Sequence, residues 1–354
     1  MPFIGDGIYD NYEALQQWLD SSHEQVLHLP TGRYKVSQTL KVRRRGVKIM
    51  GDNLGRVEDG ATIIEFYGED VLFELGETGP GKYNGVQGFR MQDISLVCKN
   101  VSYRLVNPYS VSVQRERHGG SCAVVDHKGG GVVLERVQFE HWMSGFLGEQ
   151  SDINRFVNCN FFYNSTGIHL TEGSDQFTGD SLYFLGNDSS VEAYGCNGAR
   201  FTNCQFVKEG THRVAPIFIN YCKSITFSAC WFEGHSTTHG VTVPAYAMIG
   251  NQVECRGVTF RDCTLALADH GSGQRVCDVF AVVAAAKKVL IDNLNGNPQY
   301  LSAMTLAQGI YSQRQIVIIG SFENPVLHRQ AEGSSPSDVK LLNYWGSASI
   351  GGSQ

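Results

Sequence analysis

Apolar and polar residues alternate in short runs along the middle of the chain, and one six-residue arrangement keeps returning. It has a large apolar residue, two mostly polar ones, a cysteine, one further residue and a second large apolar residue. It stands at Phe156–Phe161, Phe201–Phe206 and Phe227–Phe232, and more loosely at Phe260–Leu265. The same frame without cysteine stands at Met91–Leu96, Leu134–Phe139 and Gly179–Phe184. Taking the last residue as the register mark, the steps along Phe139, Phe161, Phe184 and Phe206 are 22, 23 and 22 residues. Alternation rich in Phe, Val, Ile and Thr predicts short strands with one buried face. Turn formers such as Asn164-Ser165-Thr166-Gly167 and Gly186-Asn187-Asp188 end the runs. A period of about 20 to 25 residues built on strands is a solenoid signature, so the fold class is all-β, a parallel β-helix. The steps widen to 26 residues at Phe232 and 33 at Leu265, and loops are expected to grow from those coils. Leu96 to Phe139 spans 43 residues, read either as an irregular coil or as a loop leaving the body. That interval holds Arg104, Arg115, Arg117, His118 and Gly129-Gly130-Gly131.

The first residues follow another pattern. Ala14, Leu15, Trp18 and Leu19 fall at helical spacing, with Asp10 or Asn11 as the cap. Terminal units of a solenoid are atypical because they cover an open end, so this helix is expected to cap the first coil. The expected organisation is an N-terminal cap over residues 1–50, a β-helix body over 51–330, and the end of the solenoid over 331–354.

The opening residues Asp6-Gly7, Ala14-Leu15-Gln16 with Asp20, Leu29-Pro30-Thr31-Gly32-Arg33-Tyr34 and Val47-Lys48-Ile49-Met50-Gly51-Asp52 resemble the opening of the pectate lyase superfamily. The resemblance implies a right-handed parallel β-helix and polysaccharide cleavage. Within that superfamily the chain looks most like the catalytic part of bacteriophage tailspikes and capsule depolymerases. From these follow the expectations of a homotrimer and of action outside the cell on a virion tail, without a signal peptide. The superfamily also contains lyases and non-catalytic proteins, so the resemblance marks the fold better than the activity.

Composition narrows the partners. The net charge of −6 offers no concentrated basic face for nucleic acid. The basic run Lys41-Val42-Arg43-Arg44-Arg45 is read as a solvated turn or a contact for an anionic partner. No apolar run is long enough to span a membrane. The ten cysteines include no CxxC pair. Cys159, Cys204, Cys230 and Cys263 share one register and are expected to stack as inert thiols in the core, which calls for neither disulfide, metal nor cofactor.

The ruler then locates acids. Asp152 lies nine residues before Phe161 and Asp175 nine before Phe184, so the two are expected above one another on adjacent coils. Paired carboxylates are the equipment of glycoside hydrolysis, one as acid and one as nucleophile or base. The alternative is Asx-type turn chemistry. Glu149, Glu172 and Asp180 lie on the same side and complete the candidate catalytic set. Trp142, at a turn where the next coils have asparagine, is expected to be a sugar platform or to pack under a loop. His141, Arg155, His169, Tyr183 and His212 are candidate hydrogen-bonding groups for substrate. The function expected is hydrolysis of a bacterial capsule or O-antigen polysaccharide. One alternative is β-elimination on a uronate glycan, with Arg155, His169, Lys208 or Arg213 recruited or Ca²⁺ held by Asp152, Asp175 and Asp180. Another is a non-catalytic, carbohydrate-binding or structural solenoid.

Overall fold

The computed structural model describes residues 3–21, 25–76, 85–100, 121–208, 217–235, 247–249 and 255–268, followed by short strands between residues 280 and 352. The chain divides into two compact units, residues 1–183 and 184–354. In both, the strands pair in parallel with the same strand positions of the neighbouring coil.

In the first unit one inward column runs Tyr34, Ile64, Leu96, Phe139, Phe161, each residue paired with the next. A second runs Leu40, Phe73, Val124, Phe146, Ile168. All ten side chains are buried. Leu96 pairs directly with Phe139, so the long interval between them is one coil. Within it, Cys122–His127 forms a strand between Val71–Leu75 and Ser144–Glu149; Arg104, Arg115, Arg117 and His118 lie outside the described residues. In the second unit Phe201, Phe227, Phe260 and Ile291 pair in one column and Phe206, Phe232 and Leu265 in another. Ladder spacing brings the rings face to face, at 4.7 Å for Phe139 and Phe161 and 4.9 Å for Phe201 and Phe227. Each such contact adds about 1 kcal/mol beyond the burial of its area.

The recurring phrase also contains a corner. The residue three before each register mark has left-handed backbone: Asp93, Arg136, Asn158 and Ser181 in the first unit, and Asn203, Ala229 and Asp262 in the second. Asn and Asp tolerate this conformation best among residues with a side chain, which explains the asparagine before cysteine in two of the phrases. Two corners are also tied together, because Arg136 donates Nε to Asp93 Oδ1 at 2.5 Å and Nη2 to Oδ2 at 2.8 Å. Burial opposes the charge on Asp93, but the bonds from Arg136 and Gln92 and the nearby cations together hold the carboxyl below its usual range.

Cys159 in the first unit and Cys204, Cys230 and Cys263 in the second are all buried. A second set was not read from the sequence: Cys196, Cys222 and Cys255 are buried too, with the Cys196 and Cys222 sulfurs 3.5 Å apart.

The helix is Tyr12–Ser21, with Ala14, Leu15 and Leu19 buried. Asp10 Oδ1 accepts the Tyr12 N–H, while Asn11 is used to hold Ile4 and Tyr9. The Gln16 amide makes reciprocal bonds with the backbone of Lys41, donating to its carbonyl and accepting its N–H. It thereby satisfies a strand edge that would otherwise invite another strand. The basic run belongs to this cap. Arg44 donates to the carbonyls of Trp18 and Leu19 and lies over the Trp18 ring, and Arg43 reaches Gly76 O and Glu74. Cations at the last carbonyls of a helix complement its dipole.

One inward position carries an acid. Asp126 stands in the column between Leu75 and Gly148 and is fully buried. Ser151 Oγ donates to its Oδ2, and its Oδ1 has no partner among the described residues. Burial pushes this carboxyl up to about 6.

Two outcomes follow for stability. Ala229→Gly relieves left-handed backbone at an exposed corner and should stabilise the protein by about 1 kcal/mol, read as a higher urea midpoint. Asp126 binds its proton more tightly folded than unfolded, so stability should fall as pH rises from about 4 to about 6, by at most about 3 kcal/mol. Asp126→Asn should abolish that fall in urea titrations across this range.

Candidate active site

The turns that follow the Ser144–Glu149 and Thr166–Leu170 strands carry most of the acids singled out above. Asp152 forms a parallel bridge with Gly130 of the preceding coil, where a Cβ would lie 2.7 Å from the Asp152 carbonyl. The close approach of the two backbones therefore depends on that glycine. One coil on, Ile153 N donates to Asp175 O at 2.9 Å, and Asp175 N donates to Asp152 Oδ1 at 3.1 Å. Asp152 and Asp175 thus stand next to each other on adjacent coils, as the nine-residue register predicts. Asp152 is exposed and Asp175 half-buried. One oxygen of Asp152 is used as a turn acceptor, which is the behaviour of an Asx residue.

The turn is anchored from beneath. Ser151, beside Asp152, donates its hydroxyl to buried Asp126, and its Oγ accepts from Asn154 Nδ2 at 2.6 Å. Asn154 Oδ1 in turn accepts the Val132 N–H at 3.1 Å. Glu149 points into a different chain of charges: its Oε2 lies 2.7 Å from His127 Nδ1, His127 Nε2 lies 4.0 Å from Glu74, and Glu74 lies 3.3 Å from Arg43. Glu172 is exposed in the turn that carries Asp175. Asp180 belongs to the strand Thr178–Asp180, pairs with Val157, and accepts the Ser181 hydroxyl at 3.3 Å. It is therefore on the ladder rather than in the acid-bearing turn.

The candidate binding residues divide. Arg155 is exposed at the start of the strand Arg155–Val157, three residues after Asp152, and His169 is half-buried on the strand that leads into the Asp175 turn. His141 follows the strand Val133–Glu140, and Tyr183 opens the strand Tyr183–Leu185. His141 Nε2 is 3.2 Å from Glu140 Oε1, and its ring stacks on Tyr163 at 6.0 Å. Tyr183 meets Phe162 edge to face at 5.7 Å. The His141 hydrogen bond is the main cause holding the Glu140 carboxyl below its usual range, against burial. His212 and Arg213 lie outside the described residues.

Trp142 corrects the expectation of a sugar platform. It is fully buried, its ring lies 5.8 Å from that of Phe66, and its indole N–H donates to Leu96 O at 2.9 Å. Its backbone N–H donates to the side chain of Asn164, the asparagine at the equivalent turn of the next coil. An indole whose N–H finds a backbone carbonyl loses nothing by burial, so the ring fills the core. The sequence reading also missed Asp126, His127 and Glu140. Asp126 had a signal: an acid in the inward phase of an otherwise apolar strand.

Among the described residues no group of three or more His, Cys, Asp or Glu comes together as a metal-ligand set, and no helix is long and apolar enough to cross a membrane.

A family model for the right-handed β-helix region matches residues 111–265. None of the curated proteins matches the sequence. Among solved structures, the surface protein and adhesin PfbA of Streptococcus pneumoniae aligns at a TM-score of 0.62 and 13% identity, covering 97% of this chain and 95% of that one. The tailspike of E. coli bacteriophage HK620, solved with a pentasaccharide, aligns at 0.62 and 10% identity, covering 98% of this chain and 64% of the tailspike. The catalytic domain of an α-1,3-glucanase, solved with tetrasaccharides, aligns at 0.52 and 12%, covering 96% and 66%. The chain therefore spans about two thirds of the length of the last two. The parallel ladders, the matched β-helix region and these likenesses agree on the fold, a right-handed parallel β-helix.

Proposed function

We propose that the chain is a polysaccharide depolymerase that hydrolyses glycosidic bonds of a bacterial surface polysaccharide, capsule or O-antigen, with Asp152 and Asp175 as the working carboxylates. The observation that carries this reading is the bond from the Asp175 backbone N–H to the Asp152 carboxylate, which sets the two residues side by side on adjacent coils. Asp152, already an acceptor of the Asp175 N–H, suits the carboxylate that attacks the anomeric carbon or activates water. Asp175 suits the acid that protonates the leaving oxygen. Arg155 and His169 stand on the same turns and strands as the acids and serve as hydrogen-bonding groups for sugar hydroxyls. Glu172, exposed in the Asp175 turn, is the next candidate acid; Glu149 is engaged with His127, and Asp180 is set on the ladder. The likeness to a tailspike and a glucanase agrees in fold with this reading, and the tailspike resemblance extends it to a homotrimer acting outside the cell as part of a virion. No cofactor enters the reaction.

A second reading, glycan binding without cleavage, is favoured by the same bond: an Asp152 oxygen that accepts a backbone N–H on the next coil is doing the work of a turn residue.

The two readings separate in one experiment. Asp152→Asn and Asp175→Asn should each lower the release of reducing ends from a cleaved polysaccharide by at least about 100-fold, with unchanged thermal unfolding. Normal turnover by both variants removes the pair from the mechanism. The products of the unmodified protein should carry new reducing ends without the ultraviolet absorbance of an unsaturated uronate. That absorbance would make the enzyme a lyase, and no shortening of any polymer in a capsule and O-antigen panel would make it a binder.

A further inference from the structure

We propose that Trp231, with Gln205, Glu233 and Thr264, forms a binding subsite in the second unit for an uncharged hexopyranose unit of a polysaccharide. This goes beyond the proposed hydrolysis. It rests on the chain being glycan-directed and not on the roles of Asp152 and Asp175.

Trp231 opens the strand Trp231–His235 and stands between Cys230 and Phe232, both buried. Strand alternation therefore turns it outward, and its side chain is 42% exposed. The other described tryptophans are accommodated by the scaffold: Trp142 is fully buried, and Trp18 is half-buried under Arg44. The indole N–H of Trp231 donates to Glu233 Oε2 at 3.3 Å, from the next outward position of the same strand. That bond satisfies the polar edge of the ring and restricts its rotamers before any ligand arrives, which lowers the ordering cost of binding.

The strand partners of Trp231 are polar. Trp231 pairs with Gln205 on one side and Thr264 on the other, and both are half-exposed. Each is one strand spacing away, about 4.8 Å, a distance comparable with the width of a sugar ring. A pyranose presents an apolar C–H face edged by hydroxyls that donate and accept. Here an amide, a hydroxyl and a carboxylate surround an aromatic surface and can serve such hydroxyls. A second copy of the chain docking on this face would require apolar neighbours to make a dry interface core, and Gln205, Glu233 and Thr264 do not supply them. The charge of Glu233 sets the ligand class. A carboxylate fixed beside the ring accepts hydroxyl protons but repels a uronate or sulfate brought into the same place.

The test is equilibrium binding of the full chain carrying Asp175→Asn, to suppress turnover, to an array of immobilised bacterial polysaccharides. The array contains uncharged polymers and uronate-containing ones. The expected result is retention on at least one uncharged polysaccharide, with affinity lowered at least about 10-fold by Trp231→Ala. Trp231→Phe should lower it less, and thermal unfolding and sedimentation should not change. The proposal is overturned by equal affinity of Trp231→Ala, by retention on uronate polymers alone, by retention on none, or by a change of oligomeric state in Trp231→Ala. Turnover that survives Asp175→Asn would count against the hydrolytic pair and leave this result readable, because the comparison between tryptophan and its variants is one of binding.

Discussion

The parallel hydrogen-bonded ladder is the constraint on which the rest of each unit depends. Its spacing of about 4.8 Å between neighbouring strands places the same position of each coil above its counterpart, so a choice made once must be compatible with repetition. Phenylalanine repeats well because its ring stacks on its own copy, as Phe139 does on Phe161. Asparagine and aspartate repeat at the corners because they adopt left-handed backbone at modest cost, as at Asp93 and Asn158. Cysteine repeats in the core because it is small and apolar enough to pack against itself. The recurring phrase of the sequence is the projection of these three requirements on one short stretch.

That projection explains what could be read in advance. The inward columns were legible because burial limits an inward site to few residue types, so periodicity survives in the sequence. The juxtaposition of Asp152 and Asp175 was legible for the same reason, since the buried register carries the turn residues with it. Trp142 was misread because turn sites carry no comparable restriction on which way a side chain leaves. The asparagine of the next coil bonds its backbone, and the ring turns inward to Leu96 O and Phe66. The same limit hid the pairing of His127 with Glu149 across adjacent strands and that of His141 with its neighbour Glu140. Side-chain direction decides such pairs, and the register alone does not supply it.

Repetition is hardest for charge, because a like charge above its copy repels it. Acids that do stand on the ladders and turns of the first unit are accommodated in three ways. Glu65, buried at an outward-phase position, draws Arg33 from one side and Lys99 from the other. Asp126 keeps its proton to a higher pH through burial and takes a single hydroxyl donor. Asp152 accepts a backbone N–H from the residue that carries the next acid.

These solutions differ in what they leave for a ligand. The Glu65 carboxylate is enclosed by its cations, and the Asp126 carboxyl is closed to solvent. Asp152 is exposed, and its donor is a backbone group that cannot move away, so the turn holds the carboxylate in place while keeping it at the surface. Fixed position with open access is what general acid and base work requires of a side chain. The ladder that makes two stacked acids expensive also makes their geometry rigid. On this scaffold, an acid at a surface turn held by a backbone donor of the next coil stays exposed at little cost to the fold.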